Sequence, residues 1–142
     1  NQFTNMKFQY SVEGGDFTMA GHASSQVKKS LKQLGIDSSI IKRVVVALYE
    51  AEVNIVAHAY RGVIDVDIES GGIKLKLTDE GPGIPDIEKA MTKGFSTASA
   101  AVREMGFGAG MGLPNIRDNS DRFTIETVVN KGTVLSIEID FK

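Results

Sequence analysis

The sequence predicts an α+β domain, a two-layer sandwich in which helices cover one face of a mixed β-sheet. Three observations carry this. Apolar and polar residues alternate at strand period in several short segments, among them residues 64–69 and 73–78. Residues 38–59 are apolar nearly all round at helical period. The strand-like and helix-like stretches interleave, and the outward phase of each strand is polar, so one sheet face is left to solvent.

The elements follow in order. Lys7 to Val12 places Phe8, Tyr10 and Val12 on one face and reads as a strand. After Gly21, Val27, Leu31 and Leu34 share one side of a helix that Gly35 ends. Asp37 or Ser38 caps a longer helix reaching about Ala59. Ile64, Val66 and Ile68 alternate with Asp65, Asp67 and Glu69; Gly71-Gly72 turns the chain; Ile73, Leu75 and Leu77 then alternate with Lys74, Lys76 and Thr78. Pro85 opens a short helix that Gly94 would close. Residues 95–107 show no clear period. Gly112 to Asn119 reads as a short helix, and Phe123–Val128 with Thr133–Phe141 as a closing hairpin turned at Asn130-Lys131-Gly132.

Composition bounds the function classes. The 142 residues suit one domain spanning 1–142, with 42% hydrophobic and 24% charged residues. A net charge of -2 gives no electrostatic footprint for nucleic acid. No apolar run approaches the ~20 residues of a membrane span, and no signal peptide is visible, so a cytoplasmic location is expected. Cysteine is absent and only His22 and His58 are present, which excludes disulfides and argues against a histidine-rich metal centre. Asn1 to Asn5 precede Met6 and read as a leftover N-terminal extension.

Three separated segments carry candidate chemistry. Gly106, Gly108, Gly110 and Gly112 alternate and lead into Leu113-Pro114-Asn115-Ile116. Bare amides and a helix N-terminus aimed at one point attract phosphate; a flexible surface loop would use glycine too. On the long helix, Ile41, Val44, Leu48, Ala51 and Ile55 form the sheet-facing stripe, and Glu50 and Asn54 are neighbours on another face among apolar or small residues. A half-buried carboxylate beside an amide suits a general base next to a metal ligand; a polar helix face under a loop is the alternative. Burial would raise the carboxylate pKa and make it a better base. Glu52 falls on the sheet-facing side, where the wheel offers no account of it. His58 lies one turn further and reads as pocket wall or packing. Asp79 shares strand parity with Leu75 and Leu77, so it points to the buried side, just before Gly81-Pro82-Gly83. A buried carboxylate needs a donor, which a purine amine supplies; a turn-capping Asp at a strand end is the plainer reading.

Together these segments resemble the ATP-binding domain of gyrase, MutL and the histidine kinases, the GHKL or Bergerat fold. Glu50-Ala51-Glu52-Val53-Asn54 matches its E-x-x-x-N box, Asp79-Glu80-Gly81-Pro82-Gly83 its D-x-G-x-G box, Gly108-Ala109-Gly110-Met111-Gly112-Leu113 its second glycine box, and Lys131-Gly132-Thr133 its late K/G-T element. All four occur in family order across about residues 40–140. The stand-alone anti-sigma factor and switch kinases of bacterial partner-switching systems are the subgroup it is most similar to, through Asn54-Ile55-Val56-Ala57-His58-Ala59-Tyr60 and Gly110-Met111-Gly112-Leu113-Pro114.

The resemblance implies ATP and Mg²⁺ as ligands. It gives Asp79 the adenine amine, directly and through water with Thr133, and Asn54 the Mg²⁺. It gives Glu50 the role of general base, and Gly81, Gly83 and Gly108 to Leu113 backbone contacts to nucleotide, with Ala109, Gly110, Met111 and Gly112 among them. Residues 95–107 would be the lid, offering Ser96, Thr97 and Arg103 to the phosphates; Gly106 extends the glycine ladder beyond the usual box. It implies a serine/threonine protein kinase acting on a STAS-type anti-anti-sigma protein, a sigma factor as a further partner, and a homodimer. The alternative is a nucleotide-binding regulator that sequesters its partner with little catalysis. A catalytic fragment of a histidine kinase would need a dimerising helical pair, for which residues 1–35 are too short, and a gyrase-like protein would need a transducer domain.

Overall fold

The structure is a computed structural model in which residues 5–92 and 112–142 are described. Strand β1 (Met6–Glu13) leads through a 3₁₀ turn (Phe17–Met19) to helices α1 (His22–Gln33) and α2 (Ser38–His58). Strands β2 (Arg61–Glu69) and β3 (Gly72–Glu80) follow as a hairpin, then α3 (Ile87–Ala90). Helix α4 (Gly112–Asn119) precedes the hairpin of β4 (Arg122–Val128) and β5 (Gly132–Asp140).

The five strands form one sheet in the order β1-β2-β3-β5-β4. Every neighbouring pair is antiparallel, which corrects the mixed sheet expected from sequence. The reason is topological. Two helices lie between β1 and β2, and an even number of crossings returns the chain to the end it left, so β2 runs back beside β1. Strands β3 and β4 do run in the same direction, but β5 inserts between them and pairs with both.

The α+β class and the one-sided helical layer are as the sequence predicts. The core lies between sheet and helices: Ile64, Val66, Ile68, Ile73, Leu75, Leu77, Ile137 and Ile139 face Val27, Leu31, Val44, Leu48, Ala51 and Ile55. Helix α2 is the central rod, in contact with α1 on one side and α4 on the other. This placement explains why it is apolar nearly all round. The opposite sheet face carries a row of alternating charge: Lys7 stands opposite Asp67, Asp67 opposite Lys74, Lys74 opposite Glu138, and Glu138 opposite Arg122. Arg122 closes on Glu138 at 2.9 Å. Cross-strand charge pairs of this kind contribute only ~0.2–1 kcal/mol each, but the row keeps the open face solvated.

Glu52, unexplained by the helical wheel, is 2% exposed and accepts the backbone N–H of Ala23 at 3.1 Å and of Ser24 at 3.3 Å. It caps α1 from another helix. The first N–H groups of a helix have no partner within it, and the N-cap position of α1 is Gly21, whose side chain offers none. A helix opening without Ser, Thr, Asp or Asn at its cap, and a carboxylate on an apolar helix face, were the two halves of this signal. Burial raises the Glu52 pKa, against the lowering effect of the α1 amides and of His22. The folded state therefore holds this proton more tightly than the unfolded chain. The stabilising contribution is complete below the ordinary carboxyl value and is lost as pH rises through the raised one. Glu52→Ala is expected to lower the unfolding free energy by about 2–4 kcal/mol, since two buried N–H groups lose their acceptor. Urea titrations at about pH 7 and pH 5 should also show a smaller gain on acidification in the variant than in the parent.

Candidate functional site

The sequence-predicted residues gather at the C-terminal end of α2. Glu50, Asn54 and His58 follow one another at single-turn spacing on that helix. Glu50 is half-buried, which raises its pKa. No described residue donates a hydrogen bond to its carboxylate. Burial pushes the His58 pKa down and favours the neutral imidazole.

Helix α4 begins against this face. A Cβ on Gly112 would lie 3.0 Å from Asn54 Oδ1 and 3.2 Å from Asn54 Nδ2. Any side chain at 112 would press on the amide, so glycine here serves close approach. The start of α4, whose first backbone N–H groups have no partner within the helix, is thereby brought to Asn54 from 58 positions away in sequence. Leu113 is 8% exposed and belongs to the core, so what it can offer the site is its backbone.

Asp79, the last residue but one of β3, lies on the helix-facing side, continuing the parity of Leu75 and Leu77. Burial raises its pKa, partly offset by the backbone N–H of Thr133, which donates to Oδ1 at 3.1 Å. Thr133 is itself buried, and its hydroxyl lies 3.0 Å from that of Thr127. The Thr127 hydroxyl also accepts the Ile84 N–H at 2.8 Å, pinning the segment after Asp79 to β4. Two further bonds stitch the turns together: Gly81 N–H to the Lys131 carbonyl at 3.0 Å and Asn130 N–H to the Pro82 carbonyl at 2.8 Å. The Asp79-x-Gly-x-Gly and Lys-Gly-Thr segments, 52 positions apart from Asp79 to Lys131, therefore form one wall. A Cβ on Gly132 would sit 2.0 Å from the Asp79 carbonyl oxygen. Gly83 takes φ +75, a left-handed conformation that glycine adopts without cost.

Gly81 joins this wall to α2, because a Cβ there would lie 3.0 Å from the Ala59 Cα and 3.4 Å from Asp79 Oδ1. One continuous surface thus runs from the α4 start through Asn54 and Ala59 to Asp79 and Thr133. Sequence reasoning missed Thr127 and Ala59; a threonine on an alternating strand and an alanine after a helix carry no local signal. Ser96, Thr97, Arg103, Gly108, Ala109, Gly110 and Met111 lie outside the described residues. Among the described residues no cluster of three or more His, Cys, Asp or Glu side chains is arranged to hold a metal. The Asn54 amide, facing the start of α4, is the side chain here that could ligate Mg²⁺, which keeps several waters and needs few protein ligands.

The profile of the histidine kinase-like ATPase domain matches residues 18–139. The chain belongs to the histidine kinase-like ATPase domain family. Among relatives, the serine/threonine-protein kinase RsbT of Bacillus subtilis is 36% identical over 106 residues, covering 72% of this chain and 74% of RsbT. The anti-sigma F factor of Geobacillus stearothermophilus is 35% identical over 95 residues, 63% of this chain and 62% of that factor. The match thus spans rather less than two thirds of the anti-sigma F factor. A solved structure of the RsbU and RsbW domains of a Mycobacterium tuberculosis protein superposes with a TM-score of 0.62 over 96% of this chain and 32% of that one. At 16% identity it speaks for the fold alone. The chain presents its E-x-x-x-N helix and D-x-G-x-G strand end side by side, joined through Gly81 and Ala59. No helix among its described residues is long and apolar enough to cross a membrane.

Proposed function

We propose that this protein is an ATP-dependent serine/threonine protein kinase of the switch-kinase and anti-sigma type, and that it phosphorylates a small STAS-type protein. The observation that carries this is the convergence of Asn54 on Gly112 and of Asp79 on Gly132-Thr133, with half-buried Glu50 one helical turn from Asn54. The 36% identity to a serine/threonine-protein kinase supports the same reading.

Asp79 holds the adenine amine through its carboxylate, and the Thr133 N–H on Oδ1 fixes that carboxylate in place. Asn54 offers its amide oxygen to Mg²⁺, and the opening N–H groups of α4 face phosphate. When bound, Mg-ATP supplies the phosphoryl group and the metal neutralises its charge. Glu50 takes the proton of the attacking serine or threonine hydroxyl. The segment 95–107, with Ser96, Thr97 and Arg103, covers the phosphates as a lid, and Gly108 to Met111 add backbone contacts. A sigma factor is a further partner and a homodimer the assembly.

The identity to anti-sigma F factors supports a second reading, in which nucleotide-bound protein sequesters its partner with little turnover. Incubation with γ-labelled Mg-ATP and a STAS protein from the same organism separates the two. Label on a serine or threonine of the STAS protein is the expected result. Tight binding of that protein without any label overturns the kinase reading.

A further inference from the structure

The geometry points to a docking groove between α1 and α2 that takes an acidic, amphipathic helical segment of a protein partner. The groove has a volume of about 410 Å³ and is lined by Lys28 and Lys32 on α1, Ile36 in the connection, and Ile41, Lys42 and Val45 on α2, with Ser38 and Val46 completing it. Ile36, Ile41, Val45 and Val46 supply the apolar surface, and no acidic side chain lines it.

Lys28 and Lys32 are exposed and one turn apart, so both project over one rim; exposed Lys42 stands on the other. Three cations bracket an apolar strip in a protein whose net charge is -2. Neighbouring charges do not cancel the cluster. Asp121 is paired with Arg43 at 3.1 Å, and exposed Asp37, between the lining residues Ile36 and Ser38, sets one carboxylate against three lysines.

The walls decide the form of the occupant. Both are helices whose backbone groups are bonded internally, and no sheet edge borders the groove, so an extended peptide has no ladder to join. Recognition has to come from side chains, and a helix with apolar residues at i, i+3, i+4 and i+7 flanked by Asp or Glu matches strip and rims together. A nucleic-acid backbone would use the lysines and leave the apolar strip wet. Lys42 and Asn54 are 12 residues apart on the same helix, about 18 Å along its axis, so an occupant and a nucleotide would be held at once on α2.

This inference rests on the proposed function only for the partner's role; the groove itself is independent of nucleotide. The test uses the full chain and a fluorescent 15-residue peptide carrying the i, i+3, i+4, i+7 apolar pattern with glutamate flanks. Its controls are the same peptide with lysine flanks, a DNA duplex and phosphatidylserine vesicles. The acidic peptide should bind with affinity that falls with salt, and the doubly substituted K28E/K32E protein should lose about tenfold. Calorimetry with Mg-ATP on the same protein should be unchanged, which confirms the fold. Equal binding of both peptides, binding of DNA or vesicles in preference, no peptide binding, or indifference to K28E/K32E overturns the proposal. Intact ATP binding with no peptide binding sinks the groove alone; peptide binding without any ATP binding sinks the proposed function alone.

Discussion

Asparagine in place of Asp79 is expected to weaken Mg-ATP binding by about 10- to 100-fold and to abolish preference for adenine over guanine nucleotides. The carboxylate uses one oxygen to accept the Thr133 N–H. Its other oxygen remains for a donor from the base. Asparagine keeps one acceptor, which Thr133 can hold, and turns the other position into an NH₂ group facing the adenine amine. A charge-assisted hydrogen bond worth about 1.5–3 kcal/mol is replaced by a clash of donors. The same geometry disfavours guanine with the parent protein, because a carboxylate would then meet a carbonyl. Because Thr133 keeps its partner, the nucleotide-free variant should melt near the parent temperature, so the loss reads as binding and not as unfolding. Burial also raises the Asp79 pKa, so protonation removes the acceptor at a higher pH than for an ordinary carboxyl. ATP affinity of the parent should therefore fall on mild acidification, and that limb should vanish in the variant. Calorimetry showing equal affinities takes Asp79 out of the adenine site.

Much of this arrangement is legible in the sequence, and what is not has a physical cause. Strand parity placed Asp79 correctly because side chains alternate strictly along a strand; β3 buries Ile73, Leu75 and Leu77 on that face. Helical spacing placed Glu50 and Asn54 for the same kind of reason. Relations between distant segments were not legible. Sheet direction depends on which strand inserts between which, and β5 between β3 and β4 turns an expected mixed sheet into an antiparallel one. Glu52 looked anomalous because its partners, the Ala23 and Ser24 amides, lie on another helix. Thr127 carries no motif, yet its hydroxyl ties Ile84 to the Thr133 side of the site. Local periodicity reports which face a residue occupies; it does not report who stands opposite.

Glutamine at position 50 should cut phosphoryl transfer to the protein substrate by about 10²–10⁴-fold, the usual contribution of a positioned general base. It should leave Mg-ATP affinity within about twofold, because the proposed role turns the carboxylate towards the attacking hydroxyl and not towards the nucleotide's charge. Glutamine matches glutamate in size, and no described residue donates to the Glu50 carboxylate, so packing and stability should hardly move. Burial holds the Glu50 pKa above the ordinary carboxyl value. The base is active only when ionised, so kcat/KM of the parent should fall as pH drops through that raised value, earlier on the acid side than an exposed carboxylate would allow. The Glu50→Gln protein has no such proton to gain, and its residual rate should lack this limb. Transfer at the parent rate removes Glu50 from the chemistry. Lost transfer with partner regulation fully intact is the more telling outcome: the same surface would then act by holding nucleotide and partner together, and turnover would be incidental to it.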